Sequence, residues 1–197
     1  MQGWKLSVFI SIGLLALTTL QLGIWGNGED GVRVVVRSSA RSSVLLFALA
    51  FSASALRSLW HGNLSKWLLA NRRYVGVSYA VSHALHAAAL AALYGESREF
   101  AESLNAVTLV GGGLAYVFTF AMAITSSDAA VRTLGRRGWR GLHLVGSWYI
   151  WIIFAQSYLP RAVMEPAYLP AGLLVLAVPV LRFAARSRRR AGQPQPA

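Results

Sequence analysis

Long uncharged apolar runs recur along the chain, each close to the length that spans a hydrocarbon core, with short polar or basic segments between them. Reading the runs by their breakers predicts six transmembrane helices, at about 5–25, 42–60, 74–94, 104–124, 139–159 and 168–183. The first run, Leu6 to Ile24, follows Lys5 and so imitates a signal peptide. It is longer than a usual signal core and lacks a small-x-small cleavage site, which predicts a first membrane span instead. Gly26, Asn27 and Gly28 break that helix, and the stretch to Ser43 reads as an external loop before a second span capped by Ser42 or Ser43. Gly62 and Asn63 stop the second span and leave His61 in a boundary loop. Gly111, Gly112 and Gly113 should let the fourth span approach a neighbour closely. Pro160 should end the fifth span, and Pro179 should kink the sixth. From Ala184 onward, RSRRR and AGQPQPA read as a basic, disordered tail.

Composition agrees with this pattern. Hydrophobic side chains make up 55% of the 197 residues and the mean hydropathy is +0.48, beyond an ordinary soluble domain. The expected architecture is therefore an all-α membrane protein, one six-helix bundle over 1–183 with a cytoplasmic tail over 184–197. The chain has no cysteine, which excludes disulfides, iron–sulfur clusters, thiolate metal sites and covalent haem attachment. The net charge of +12 does not point to nucleic acid, because the basic residues collect in the segments between spans. With both termini inside, 14 of the 19 basic residues fall on the cytoplasmic side, and of the acids only Asp128 does. Trp4, Trp25, Trp60, Trp67 and Trp139 lie near helix ends, where an aromatic belt meets membrane lipid.

Three histidines, His83, His86 and His143, fall in or beside apolar spans, and an imidazole in hydrocarbon marks a functional site unless packing satisfies it. In the expected topology the third and fifth spans run in the same direction. By helix rise His86 lies about 20 Å past the inner boundary and His143 about 6 Å past it, a difference of roughly 14 Å. Straight helices cannot then place both on one iron, whose two axial nitrogens stand ~4 Å apart. Gln156 is the residue of the fifth span level with His86, and could hydrogen-bond His86, a propionate or a quinone carbonyl. His83 is one turn from His86 and could orient a cofactor held by it. The alternative for these imidazoles is structural: hydrogen bonds to Ser82, Ser147, Thr119 or backbone carbonyls.

Two blocks of residues resemble a known family. Arg72-Arg73-x-Val75-Gly76-Val77 with His86 nine residues on is the first. The second is Ala123-Ile124-Thr125-Ser126 followed by Leu134-Gly135, Trp139 and Leu142-His143. Together they resemble the ferric-reductase-like transmembrane domain family. Within it they are most similar to the haem-binding membrane subunits of bacterial methionine-sulfoxide reductase systems. The resemblance implies a multi-pass protein of the bacterial cytoplasmic membrane. It implies b-type haem on histidines of the third and fifth spans, His86 as the outer ligand and His143 as the inner one. It further implies electron transfer from quinol or a partner reductase to an acceptor. The chain departs from the pattern at Gln156, where relatives carry another histidine, so each haem site keeps one imidazole and the expected haem count is one or none. No flavin or nicotinamide domain follows the sixth span, so reductase chemistry would need a partner protein or quinone. The competing expectation is a non-enzymatic membrane protein that keeps the fold without full haem ligation. A transporter is disfavoured because the spans carry no carboxylate and no inverted repeat.

Overall fold

A computed structural model describes residues 2–191, and among these every element is helical. The helices are α1 (Trp4–Trp25), α2 (Glu29–Leu59), α3 (Asn63–Glu96), the short α4 (Arg98–Ser103), α5 (Ala106–Ile124), α6 (Asp128–Met164) and α7 (Leu169–Ala191). The fourth, fifth and sixth expected spans are thus α5, α6 and α7. Five helices, α1, α2, α3, α5 and the one ending in α7, are long and apolar enough to cross a bilayer. The chain is a multi-pass membrane protein. The apolar half of α6 falls short of that mark because His143, Trp148, Tyr149, Trp151, Gln156 and Tyr158 dilute its aliphatic residues.

Several boundaries differ from the sequence reading: α3 and α6 begin at Asn63 and Asp128, well before the expected 74 and 139, so most of both expected basic loops is helix. The expected loop at 26–43 is mostly helix: α2 starts at Glu29, two acids occupy its first turn, and Arg33 pairs with Glu29 one turn on at 2.6 Å. Pro160 does not end α6, which continues to Met164. A proline at 160 removes only the bond to the carbonyl of Gln156, and that residue sits on the exposed face. Where a disordered tail is expected from Ala184, α7 runs on to Ala191. Arg188 donates to the Leu59 carbonyl (2.9 Å) and Arg189 to Ser58 Oγ (3.2 Å), so the basic turn caps the carboxyl end of α2. The remainder of the expected tail, 192–197, lies outside the described residues.

The α2–α3 pair forms the tightest interface, and small polar residues make it possible. Ser43 and Ser82 hydroxyls meet at 3.0 Å, and both side chains are fully buried. A third helix joins this seam through Ser78 and Ser7 at 3.2 Å, where the start of α1 is also held by Gly3 N–H donating to Asn71 Oδ1 (3.0 Å). Gly31 permits the tight α1–α2 turn, since a Cβ there would lie 1.8 Å from the Gly26 carbonyl oxygen. Of Gly111, Gly112 and Gly113, Gly111 makes the expected approach: a Cβ there would lie 3.7 Å from Ile153 of α6, while at the other two it would meet nothing within 4 Å. A closer approach between the same helices is at Gly146 of α6, against Met122 and Phe118 of α5.

Pro179 lies inside α7 and leaves the Val175 carbonyl without its helical donor. The indole N–H of Trp151 donates to that carbonyl at 3.0 Å, which ties α6 to α7 where the helix would otherwise hold a bare acceptor in lipid. α2 and α7 also pack together, while α3 and α6 do not lie directly along one another. Side chains span the interval: the Phe154 ring stands 6.2 Å from Tyr79 and 6.0 Å from His83. Toward the basic end of the bundle the same interval opens into a cavity.

Candidate functional site

The cavity holds about 310 Å³ and its walls come from α2, α3, α5, α6 and α7. Phe47, Phe51, Tyr79, Met122 and Leu144 give it an apolar and aromatic surface; Arg72, Arg73, Arg140, Arg182 and His143 give it charge and one imidazole. Both sequence blocks converge here. From the first come Arg72, Arg73 and Gly76, and from the second Ala123, Ser126, Trp139 and His143. The convergence has a local cause. The C-terminal turn of α5 places Thr125 where its carbonyl accepts from the Trp139 indole N–H (3.0 Å) and its hydroxyl meets His143 Nε2 (3.2 Å). Trp139 stacks on the His143 ring at 4.2 Å.

This arrangement selects a tautomer. Thr125 Oγ1 donates its one proton to the Ala121 carbonyl at 2.7 Å, so toward Nε2 it can only accept. Nε2 then carries hydrogen and Nδ1 keeps a lone pair, the state in which imidazole ligates a metal. A clip closes the basic end beside it: Arg73 of α3 pairs with Asp128, the first residue of α6. The Arg73 hydrogen bond and charge hold the Asp128 carboxyl below its ordinary range. Gly135, with φ +69°, turns the chain between the segment carrying Asp128 and the long helix carrying His143.

The other expected site residues lie elsewhere. His83 and His86 are brought together, ring centroids 5.6 Å apart and nearly parallel, but on one helix and on the same side of any gap. His86 Nδ1 meets Ser39 Oγ at 3.1 Å; that hydroxyl already donates to the Val35 carbonyl at 2.6 Å, so the imidazole is the donor. His83 is buried, stacked at 4.5 Å on Tyr116 and 5.3 Å from Tyr79, and its Nδ1 has no hydrogen-bond partner. Among the described residues His86 and His143 do not line a common cavity. His143 lines the cavity and His83 and His86 do not; the rings of Tyr79, Tyr116 and Phe154 pack around His83. Gln156 is exposed, two residues from the buried Phe154 and Tyr158 and so on the opposite face of α6. Of the expected structural partners, Ser82, Ser147 and Thr119 bond no histidine, while the Val36 backbone does interact with His86; Ser39 and Thr125 are the side-chain partners found.

Sequence reasoning missed Arg182. Its guanidinium donates to the Phe51 carbonyl at 2.7 Å and lies 4.0 Å over the Phe51 ring and 5.6 Å over Trp148. The signal was present, an arginine inside the last apolar run, but it reads equally as a topology charge.

Among the described residues no group of three or more His, Cys, Asp or Glu side chains could hold a bare metal ion. The donor set of the cavity fits haem instead: one imidazole with a free lone pair, aromatic walls for a macrocycle and excess cationic charge for its propionates. Its volume lies at the lower edge of the ~300–1,000 Å³ usual for ligand pockets.

No family model matches the chain. No solved structure matches it either. Among curated proteins, it is 27% identical over 128 residues to the protein-methionine-sulfoxide reductase haem-binding subunit MsrQ of Azospira oryzae. The match covers 61% of this chain and 53% of that protein, so the chain spans about half the length of its curated relative. The chain is thus similar to the haem-binding membrane subunit of a methionine-sulfoxide reductase, the group to which its two sequence blocks point.

Proposed function

We propose that the chain is a haem-binding electron-transfer subunit of a membrane reductase system, and that one b-type haem occupies the cavity at the basic end. The observation that carries this reading is the convergence of both sequence blocks on a cavity that joins an imidazole to arginines and aromatic rings. His143 would hold the iron, with Thr125 fixing the ring and Trp139 covering its face. Haem, when bound, supplies one-electron chemistry; the chain binds it, keeps water from it and sets the charge around it. His86 and His83 would serve the α2–α3 interface rather than a second haem, since Ser39 of α2 engages His86 and the Tyr116 and Phe154 rings pack on His83. α6 would be the sixth span, giving a six-helix, ferric-reductase-like bundle. The basic end would face the cytoplasm of a bacterial inner membrane, with both termini on that side. The electron donor would be quinol or a partner reductase and the acceptor a partner protein. Neither has a binding domain among the described residues.

The deciding experiment is a reduced-minus-oxidised spectrum of the purified protein with haem per chain measured. A b-type Soret band is expected, lost in His143→Ala and retained in His86→Ala. A clean preparation from haem-replete cells with no band sinks the reading. Loss in His86→Ala alone would move the site to the other end of the bundle.

A further inference from the structure

Arg182 lines the cavity with its charge uncompensated by any carboxylate among the described residues. It reaches one backbone carbonyl and two ring faces, and its Nε is buried with no hydrogen-bond partner. Among the described residues no ion pair includes Arg182, Arg72 or Arg140, although all three line the cavity; Arg73 alone has a carboxylate, that of Asp128. Arg72 is near enough to act electrostatically on both Arg182 and His143. Like charges gathered around a low-dielectric space repel one another unless an anion joins them. The Phe51 and Trp148 rings hold the Arg182 guanidinium at the cavity wall, where its charge is placed for a carboxylate.

We infer that Arg182 anchors a carboxylate of the bound ligand, which on the reading above is a haem propionate. The arginine thereby orients the macrocycle's acidic edge toward α7 and raises the reduction potential of the site, because a fixed positive charge favours the form with one more electron. The inference rests on the proposed haem site. It assigns a role to α7, which neither sequence block reaches.

The test uses the full chain in nanodiscs, reconstituted with haem or with haem dimethyl ester, whose propionates carry no charge. Wild-type protein should bind the ester about tenfold more weakly than haem, the loss of roughly one charge-assisted hydrogen bond. That preference should shrink toward unity in Arg182→Gln, with a lower midpoint potential, and persist in Arg182→Lys. The exposed control Arg186→Gln should behave as wild type. Should Arg182→Gln fail to fold, Arg182→Met, which keeps the length and apolar packing of the side chain, takes its place in the same comparison. If wild type binds no haem, the functional reading and this inference fall together. If wild type binds haem and ester equally, or if Arg182→Gln retains the full preference and potential, the inference alone is overturned. Binding that depends on anionic lipid rather than on the propionates would also overturn it and make the arginines a phosphate site.

Discussion

Thr125 serves two partners at once, and the pair it serves, Trp139 and His143, lies one helical turn apart on α6. That spacing is what a sequence can display, which explains why His143 and its block were legible while Gln156 was not. Gln156 shares a depth with His86, but depth says nothing about face, and its neighbours Phe154 and Tyr158 take the buried side. Arg182 was hidden for the opposite reason: an arginine near a helix end satisfies the orientation rule, and only the Phe51 and Trp148 rings give it a second role. Asp128 carries a prediction at this scale. Its carboxyl is held low by Arg73, so the clip contributes fully above the unfolded carboxyl value of about 3.9 and is lost as pH falls through the lower folded value. The thermal-midpoint advantage of wild type over Asp128→Asn in detergent should hold steady between pH 7 and 5 and shrink below about 4. An advantage that does not change with pH, or none at all, would show the clip to be idle.

Helices were easier to place than their ends. Breakers such as Gly26 and Gly62 marked turns correctly, but α2 begins thirteen residues before the expected Ser42, because Glu29, Asp30 and Arg33 support a helix that continues beyond the apolar run. Pro179 shows how such elements repair themselves. Trp151→Phe should cost about 1–2 kcal/mol by leaving the Val175 acceptor bare. In a Pro179→Ala background, where the helix regains its own donor, the same change should cost clearly less. Equal costs in both backgrounds, read from unfolding in mixed micelles, would dismiss this account. Glycines separate in the same way: Gly146→Val forces a Cβ against Met122 Sδ at 3.0 Å and Phe118 at 3.1 Å, for about 1–3 kcal/mol. Gly113→Ala meets nothing within 4 Å and should be neutral or stabilising by up to about 1 kcal/mol.

For the whole molecule, the basic and acidic residues separate along the bundle. The Arg73–Asp128 clip and the α7 arginines stand at one end; Glu29, Arg33, Ser97 and Glu99 cluster at the other. Because the chain has no cysteine, single cysteines report sidedness without background. Arg136→Cys should react with membrane-impermeant maleimide only from the cytoplasmic face, and Glu99→Cys only from the outer face; the reverse pattern would invert the proposed orientation. The helical, membrane-spanning character followed from apolar run length alone. The cavity did not, because it forms where α3 and α6 stay apart, and no property of either helix taken singly encodes a separation.

The bond from Arg188 to the end of α2 bears on how the protein is made. α7 is translated after every other wall of the cavity, and it brings Arg182 with it. Until that helix inserts and its basic turn fastens to Leu59, the chamber beside His143 lacks one side. Synthesis thus leaves an interval in which the chamber is open to the bilayer on that side, and the arrival of α7 completes its wall.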